Sequence, residues 1–234
     1  ETADWIIRDM QDKGGGYYAT LDADSEGEEG RFYLWSPEQF NALLTEEEAA
    51  VAREHYGLEL DANFEGTAWH LHAITSIDDL SGGLSPALAE ETLRSARGKL
   101  LASRNTRVWP GRDEKILVSW NGLMIKSMAK AARVLGRDDL AESATRAVEF
   151  IHTELWRDGR LLASFKDQRA RFTAYLDDYA FLADGLIELL RYRWRSEYLT
   201  FACDLIDVLL TRFEDPNGGF FFTADDHETL IHRP

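Results

Sequence analysis

Apolar residues recur at helical spacing over most of the chain, and capping residues bound the runs. "TADWIIRDMQDK" (2–13) predicts a helix closed by Gly14 and Gly15. "SPEQFNALL" begins with Ser36 as N-cap and Pro37 at the first helical position. "TEEEAAVAREHYG" is capped by Thr45 and stops at Gly57, and a long helix starts at Ser85-Pro86. Four more runs follow, over 116–135, 139–155, 174–192 and 196–213, for roughly eight helices in all. In 139–155 the apolar residues Leu140, Ala144, Val148, Ile151 and Leu155 share one face, as on a surface helix. Helix 116–135 is apolar or small nearly all round, which predicts burial on most faces. The pair 174–192 and 196–213 repeats the contrast, so inner and outer helices alternate as a ring of αα-hairpins requires.

Short aromatic segments separate the helices, and two of them repeat. "GGYYATLDAD" (15–24) aligns without gaps with "GGFFFTADDH" (218–227), and "DGRLLASF" (158–165) is a shorter relative. Each follows a helix that ends at Gly, which takes positive φ at no steric cost. The repeats predict short β-hairpins between helices. The run "DADSEG" also resembles the start of a calcium loop. Asp22, Asp24 and Gly27 fit its first, third and sixth positions, but Tyr33 stands where the bidentate Glu is needed. Aromatic strand residues also replace the two flanking helices. The stretch therefore reads as a hairpin with a solvated acidic tip (Glu26, Glu28, Glu29). A nonclassical metal site at Asp22 and Asp24 is the alternative, and no metal is assigned.

Composition narrows the function classes. The 234 residues are 44% hydrophobic and 29% charged, with a formal charge of -16. No basic stripe is available to neutralise phosphates, which argues against nucleic acid as a partner. The charge also disfavours anionic membrane surfaces, and no apolar run is long enough to span a bilayer. The single cysteine, Cys203, cannot form an internal disulfide and reads as a small buried hydrophobe at a helical apolar position. It fits a cytoplasmic location. No signal peptide is visible, and both ends read as cut from a longer polypeptide. The 7 Trp, 8 Tyr and 12 Phe favour a ligand that stacks, such as a sugar.

The chemistry concentrates in three stretches. In "RVWPGRDEKILVSWNGLMI" (107–125), Asp113, Lys115, Trp120 and Asn121 stand at the entrance of the apolar helix. Trp and Asn on a buried helix need partners or a cavity, and both suit a polyol; a capping network with Asp113 paired to Lys115 explains them equally well. "AYLDDYAFL" (174–182) places Tyr175, Asp177, Asp178 and Tyr179 in the first turn of the next inner helix. Asp178 and Tyr179 are the cavity candidates, against plain N-terminal capping. "ANFEGTAWHLH" (62–72) carries His70 and His72. Hydrogen-bonded strand histidines are favoured there over a zinc pair, which lacks a third ligand. His55, His152, His227 and His232 read as surface residues without a role.

"GGYYATLDADSEGEEGRFYLWSPEQF", "ANFEG", "DEKILVSWNGLMI", "YLDDYAFLADGLIEL" and "DPNGGFFFTADDHETLIHRP" together resemble the spermatogenesis-associated protein 20-like family of thioredoxin-domain proteins. In that family a thioredoxin-like domain precedes an (α/α)6 toroid similar to N-acylglucosamine 2-epimerases and six-hairpin glycosidases. The resemblance implies a mainly α fold, an αα-hairpin toroid with short β-hairpins between helices. The whole chain would be one domain, a piece of the toroid without the thioredoxin-like domain, which becomes its partner in the parent protein. It also implies a sugar epimerase or isomerase, with a noncatalytic carbohydrate- or protein-binding toroid as the alternative. Asp178, Asp24 and His70 are then the acid/base candidates. Trp120, Asn121, Tyr179, Asp113, Lys115 and Tyr175 are the substrate-binding candidates, and no cofactor is assigned. A hydrolase would draw two carboxylates from Asp24, Asp113, Asp178 and Asp225.

Overall fold

A computed structural model of the chain describes residues 1–80 and 82–227, so His232 and the end of the last quoted motif lie outside the described residues. Eight α-helices occur among the described residues: α1 (Thr2–Trp5), α2 (Pro37–Leu43), α3 (Glu46–Tyr56), α4 (Pro86–Arg104), α5 (Val118–Leu135), α6 (Asp138–Glu154), α7 (Leu176–Tyr192) and α8 (Ser196–Arg212). The fold is mainly α, with αα-hairpins and short β-hairpins between them. Two compact units form, one from Glu1–Thr20 with Arg112–Pro234, the other from Leu21–Gly111.

In the first unit, α5 and α6 make one hairpin and α7 and α8 a second. The inner helices α5 and α7 touch backbone to backbone. A Cβ on Gly122 would lie 2.5 Å from the Phe181 carbonyl carbon, and one on Gly185 would lie 2.7 Å from the Gly122 carbonyl oxygen. Only glycine fits at both positions. Ile125, Met128, Ala129, Leu182, Leu186 and Leu189 close the core around this crossing.

The aligned repeats form the same hairpin twice. Asp12 N–H donates to Gly16 O at 2.8 Å, Gly15 N–H to Asp12 O at 2.9 Å and Tyr18 N–H to Met10 O at 2.8 Å. The equivalent bonds, Asp215 N–H to Gly219 O, Gly218 N–H to Asp215 O and Phe221 N–H to Phe213 O, measure 3.0, 2.8 and 2.8 Å. The third segment is a two-residue hairpin with Asp158 and Gly159 at φ 51° and 71°, the twist that matches its strands. The first helix is shorter than its pattern predicts, because α1 runs into a π-helical turn, Ile6–Met10.

The second unit packs α2, α3 and α4 around Phe40, Ala52, Leu93 and Ala96. Ser36 and Thr45 cap α2 and α3 as expected, each in a reciprocal capping box. Glu48 accepts from Thr45 N–H (2.9 Å) and Ser95 Oγ (2.7 Å) and pairs with Lys99 (2.6 Å). The Lys99 ammonium, helped by the other donors, holds its carboxyl down at about 2. The "DADSEG" stretch is a hairpin: Asp24–Ser25 pairs with Glu28–Glu29 across Glu26 and Gly27, at φ 56° and 79°. Its tip is exposed, with Arg31 paired to Glu26 (3.1 Å) and Glu28 (2.7 Å).

Three burial expectations are corrected. α5 is not buried on most faces, for Trp120, Leu123 and Val134 are exposed along one side. Cys203 is exposed beside Leu199, Ile206 and Leu210, because α8 turns a different face, Tyr198, Phe201, Leu205 and Leu209, to the core. An apolar residue on a helix that is apolar on two faces cannot be assigned by pattern alone. His55 is buried, with Nδ1 2.7 Å from the Thr75 carbonyl.

Gly122→Ala should lower the stability of the chain by ~1–3 kcal/mol, because the added methyl meets backbone that cannot rotate away. Urea unfolding followed by circular dichroism measures this; an unchanged midpoint would contradict the contact.

Candidate functional site

The first turns of α5 and α7 meet where their glycines allow it, and one carboxylate serves both. Asp178, 3% exposed, accepts from Ser119 N–H through Oδ1 (2.8 Å) and from Tyr175 N–H through Oδ2 (2.9 Å). These are free N–H groups of two different helix starts. Burial pushes the Asp178 carboxyl up to about 6, with Asp177 adding to the rise and the Tyr175 and Ser119 donors opposing it.

Asn121, one turn into α5, is 1% exposed. Its Oδ1 accepts from Tyr17 N–H (2.7 Å), and its Nδ2 donates to Tyr17 O (3.0 Å) and Leu117 O (2.8 Å). The amide thus fastens the first repeat hairpin to α5. Tyr179 is fully buried, its hydroxyl accepting from Leu161 N–H (2.9 Å) and its ring edge-on to Phe213 at 5.4 Å. These three candidates are engaged inside the protein.

The remaining candidates of this unit reach solvent. Trp120 is 53% exposed although it directly precedes the buried Asn121. Asp113 pairs with Lys115 (2.9 Å), the pairing weighed from sequence, and also with Lys166 (3.3 Å). The Lys115 ammonium foremost holds the Asp113 carboxyl below the usual range. Tyr175 stacks on Phe222, with ring centroids 5.2 Å apart. Asp225 accepts from Arg212 at 3.3 Å.

Asp24 and His70 belong to the other unit, where both are exposed. Asn63 clamps the His70 backbone, accepting from its N–H (2.8 Å) and donating to its carbonyl (3.0 Å), while His72 Nδ1 lies 3.2 Å from the same carbonyl. Among the described residues, no group of three or more His, Cys, Asp or Glu side chains is placed to hold a metal ion. No helix among them is long and apolar enough to cross a membrane.

Two contributors escaped the sequence reading. Lys166 lies 53 positions from Asp113, and no local pattern links them. The glycine pair did leave a signal, since a glycine inside an apolar helix marks close approach.

Relatives align with this chain over most of its length. Spermatogenesis-associated protein 20 of Rattus norvegicus is 28% identical over 257 aligned residues, covering 94% of this chain and 33% of that protein. The Homo sapiens protein is 27% identical over the same extents. The chain is a homologue of spermatogenesis-associated protein 20. It spans about a third of the length of these relatives. No family model matches it. Among solved structures it is similar to cellobiose 2-epimerase from Bacillus thermoamylovorans B4167, at 11% identity and a TM-score of 0.43, over 91% of this chain and 53% of that one. It is also similar to the unsaturated glucuronyl hydrolase of Bacillus sp. GL1, at 16% identity and a TM-score of 0.43, over 93% and 57%.

The Asp178 geometry sets a pH dependence. Its folded pKa lies above the ordinary value, so the folded state binds the proton more tightly than the unfolded chain. That stabilisation is complete below about 3.8 and is lost as pH rises through about 6. Asp178→Asn removes this titration and one of the two backbone bonds. Its cost should be largest near pH 4 and shrink by ~2–3 kcal/mol by pH 7. Denaturation of both proteins across that range measures the difference; a cost independent of pH would contradict it.

Proposed function

We propose that the chain is part of a carbohydrate-binding (α/α)6 toroid, with both compact units in one domain. The observation that carries this reading is Trp120: a half-exposed indole in the first turn of α5, which follows the ion-paired Asp113 and Lys115 in the chain. A fixed aromatic face offers a sugar a large contact surface at low entropic cost. Asp113, Lys115 and Tyr175 supply polar groups at the same end of the unit. Asn121, Asp178 and Tyr179 position this surface. In this reading the parent protein joins the toroid to a thioredoxin-like domain and works in the cytoplasm. The single cysteine supports a reducing compartment.

A second reading, sugar epimerase or isomerase, is favoured by one observation. The Asp178 carboxyl at about 6 is close to the pKa a general acid or base needs. Proton transfer at C2 would require it to release Ser119 N–H or Tyr175 N–H and would need a second group, for which Asp24 and His70 are candidates.

Proton NMR in deuterated water with aldoses, ketoses and N-acylated amino sugars separates the two. The binding reading predicts saturation transfer to a sugar, about tenfold weaker affinity for Trp120→Ala, and an intact C2 proton. Catalysed loss of that proton would establish the epimerase reading in its place. No contact with any sugar would overturn both.

A further inference from the structure

Two Glu-Gly pairs in the second unit adopt the same left-handed turn. Glu26 and Gly27 have φ 56° and 79°, and Glu65 and Gly66 have φ 49° and 69°. Both turns rim one open cavity of about 780 Å³, formed wholly by residues of this unit. That volume is in the range of small-molecule sites.

The wall of the cavity is braced by Arg107. Its guanidinium lies 4.2 Å from the centre of the Trp35 ring, and Nη1 donates to the carbonyls of Phe32 (2.9 Å) and Leu34 (2.7 Å). Arg31 is held by Glu26 and Glu28. Both cations of the lining are therefore engaged. The lining carries four glutamates against these two arginines, so an anion such as a phosphate finds repulsion there. Glu29 and Glu65 make no ion pair among the described residues and are exposed. Phe64 of the lining is half-buried and packs close to Gly30, and Ser36, Gln39 and Thr67 add hydroxyl and amide groups.

Carboxylate acceptors, mixed hydroxyl and amide groups and an aromatic surface in one cavity match a ligand with many hydroxyl donors and an apolar C–H face. A protonated amine would use only the acceptors. We propose that this cavity is a saccharide-binding site of the second unit, in which Glu29 and Glu65 accept from ring hydroxyls and Phe64 contacts the ring face. The site is separate in residues from the α5 and α7 helix starts and rests on the carbohydrate reading only for its ligand class.

The test is calorimetric titration of the whole chain with cellobiose and maltotriose, alongside spermidine and inorganic phosphate. Glu65→Gln keeps the size of an exposed side chain, and Glu29→Gln provides a second variant on a different segment. The proposal predicts that a disaccharide or trisaccharide binds and that each variant weakens it about tenfold, while Glu59→Gln, at an exposed carboxylate of the same unit outside the cavity lining, leaves it unchanged. Saccharide binding lost with Trp120→Ala but not with either glutamate variant would overturn the proposal and leave the α5 site intact. Loss with the glutamate variants alone would support it even if the α5 site binds nothing. Spermidine binding without saccharide binding, or no binding at all, would overturn it.

Discussion

The close approach of α5 and α7 at Gly122 and Gly185 is the constraint on which the first unit depends. It brings two helix starts near enough for a single buried carboxylate to cap both. A side chain at either glycine would part the helices, and Asp178 could then satisfy only one of the two N–H groups. Asn121, one turn into α5, ties the N-terminal hairpin at Tyr17 to the same inner helix. Contact and cap are coupled, because the shared carboxylate requires the helix spacing that the glycines permit, and the tether fixes the N-terminal hairpin to the start of the same helix.

This assembly determines which residues are left for a ligand. Groups that look chemical in a one-dimensional reading, Asn121, Asp178 and Tyr179, have their polar atoms turned to backbone partners. What they hold in place is the face beside them. Trp120 is exposed because Asn121 and Gly122 are locked inward, and neighbouring residues on a helix point about 100° apart. The start of α5 therefore has a structural side, with Asn121 and Gly122, and a solvent-facing side, with Trp120 and Leu123, set apart by the helical turn.

Much of the organisation was legible from local chemistry. Ser36, Thr45 and Ser85 cap their helices, Gly57 ends α3 with φ 68°, and the aligned Gly-Gly repeats form hairpins with matching hydrogen bonds. Caps and tight turns are decided within a few residues, so sequence records them directly. Helix phase is not decided locally where a helix is apolar on two faces, which is why Cys203 and the exposed side of α5 were misassigned. The Asp178–Ser119 bond spans 59 positions, and the Asn121–Tyr17 bond 104. Such pairings follow from the helix crossing and leave no spacing signal.

Native-state hydrogen exchange tests the central claim most directly, through the amides of Ser119, Tyr175 and Tyr17. The account predicts that all three exchange only through global unfolding, at the same free energy as the core amides of α5 and α7. Exchange of any of them by local opening, well below that free energy, would show that the buried Asp178 and Asn121 do not hold the junction together.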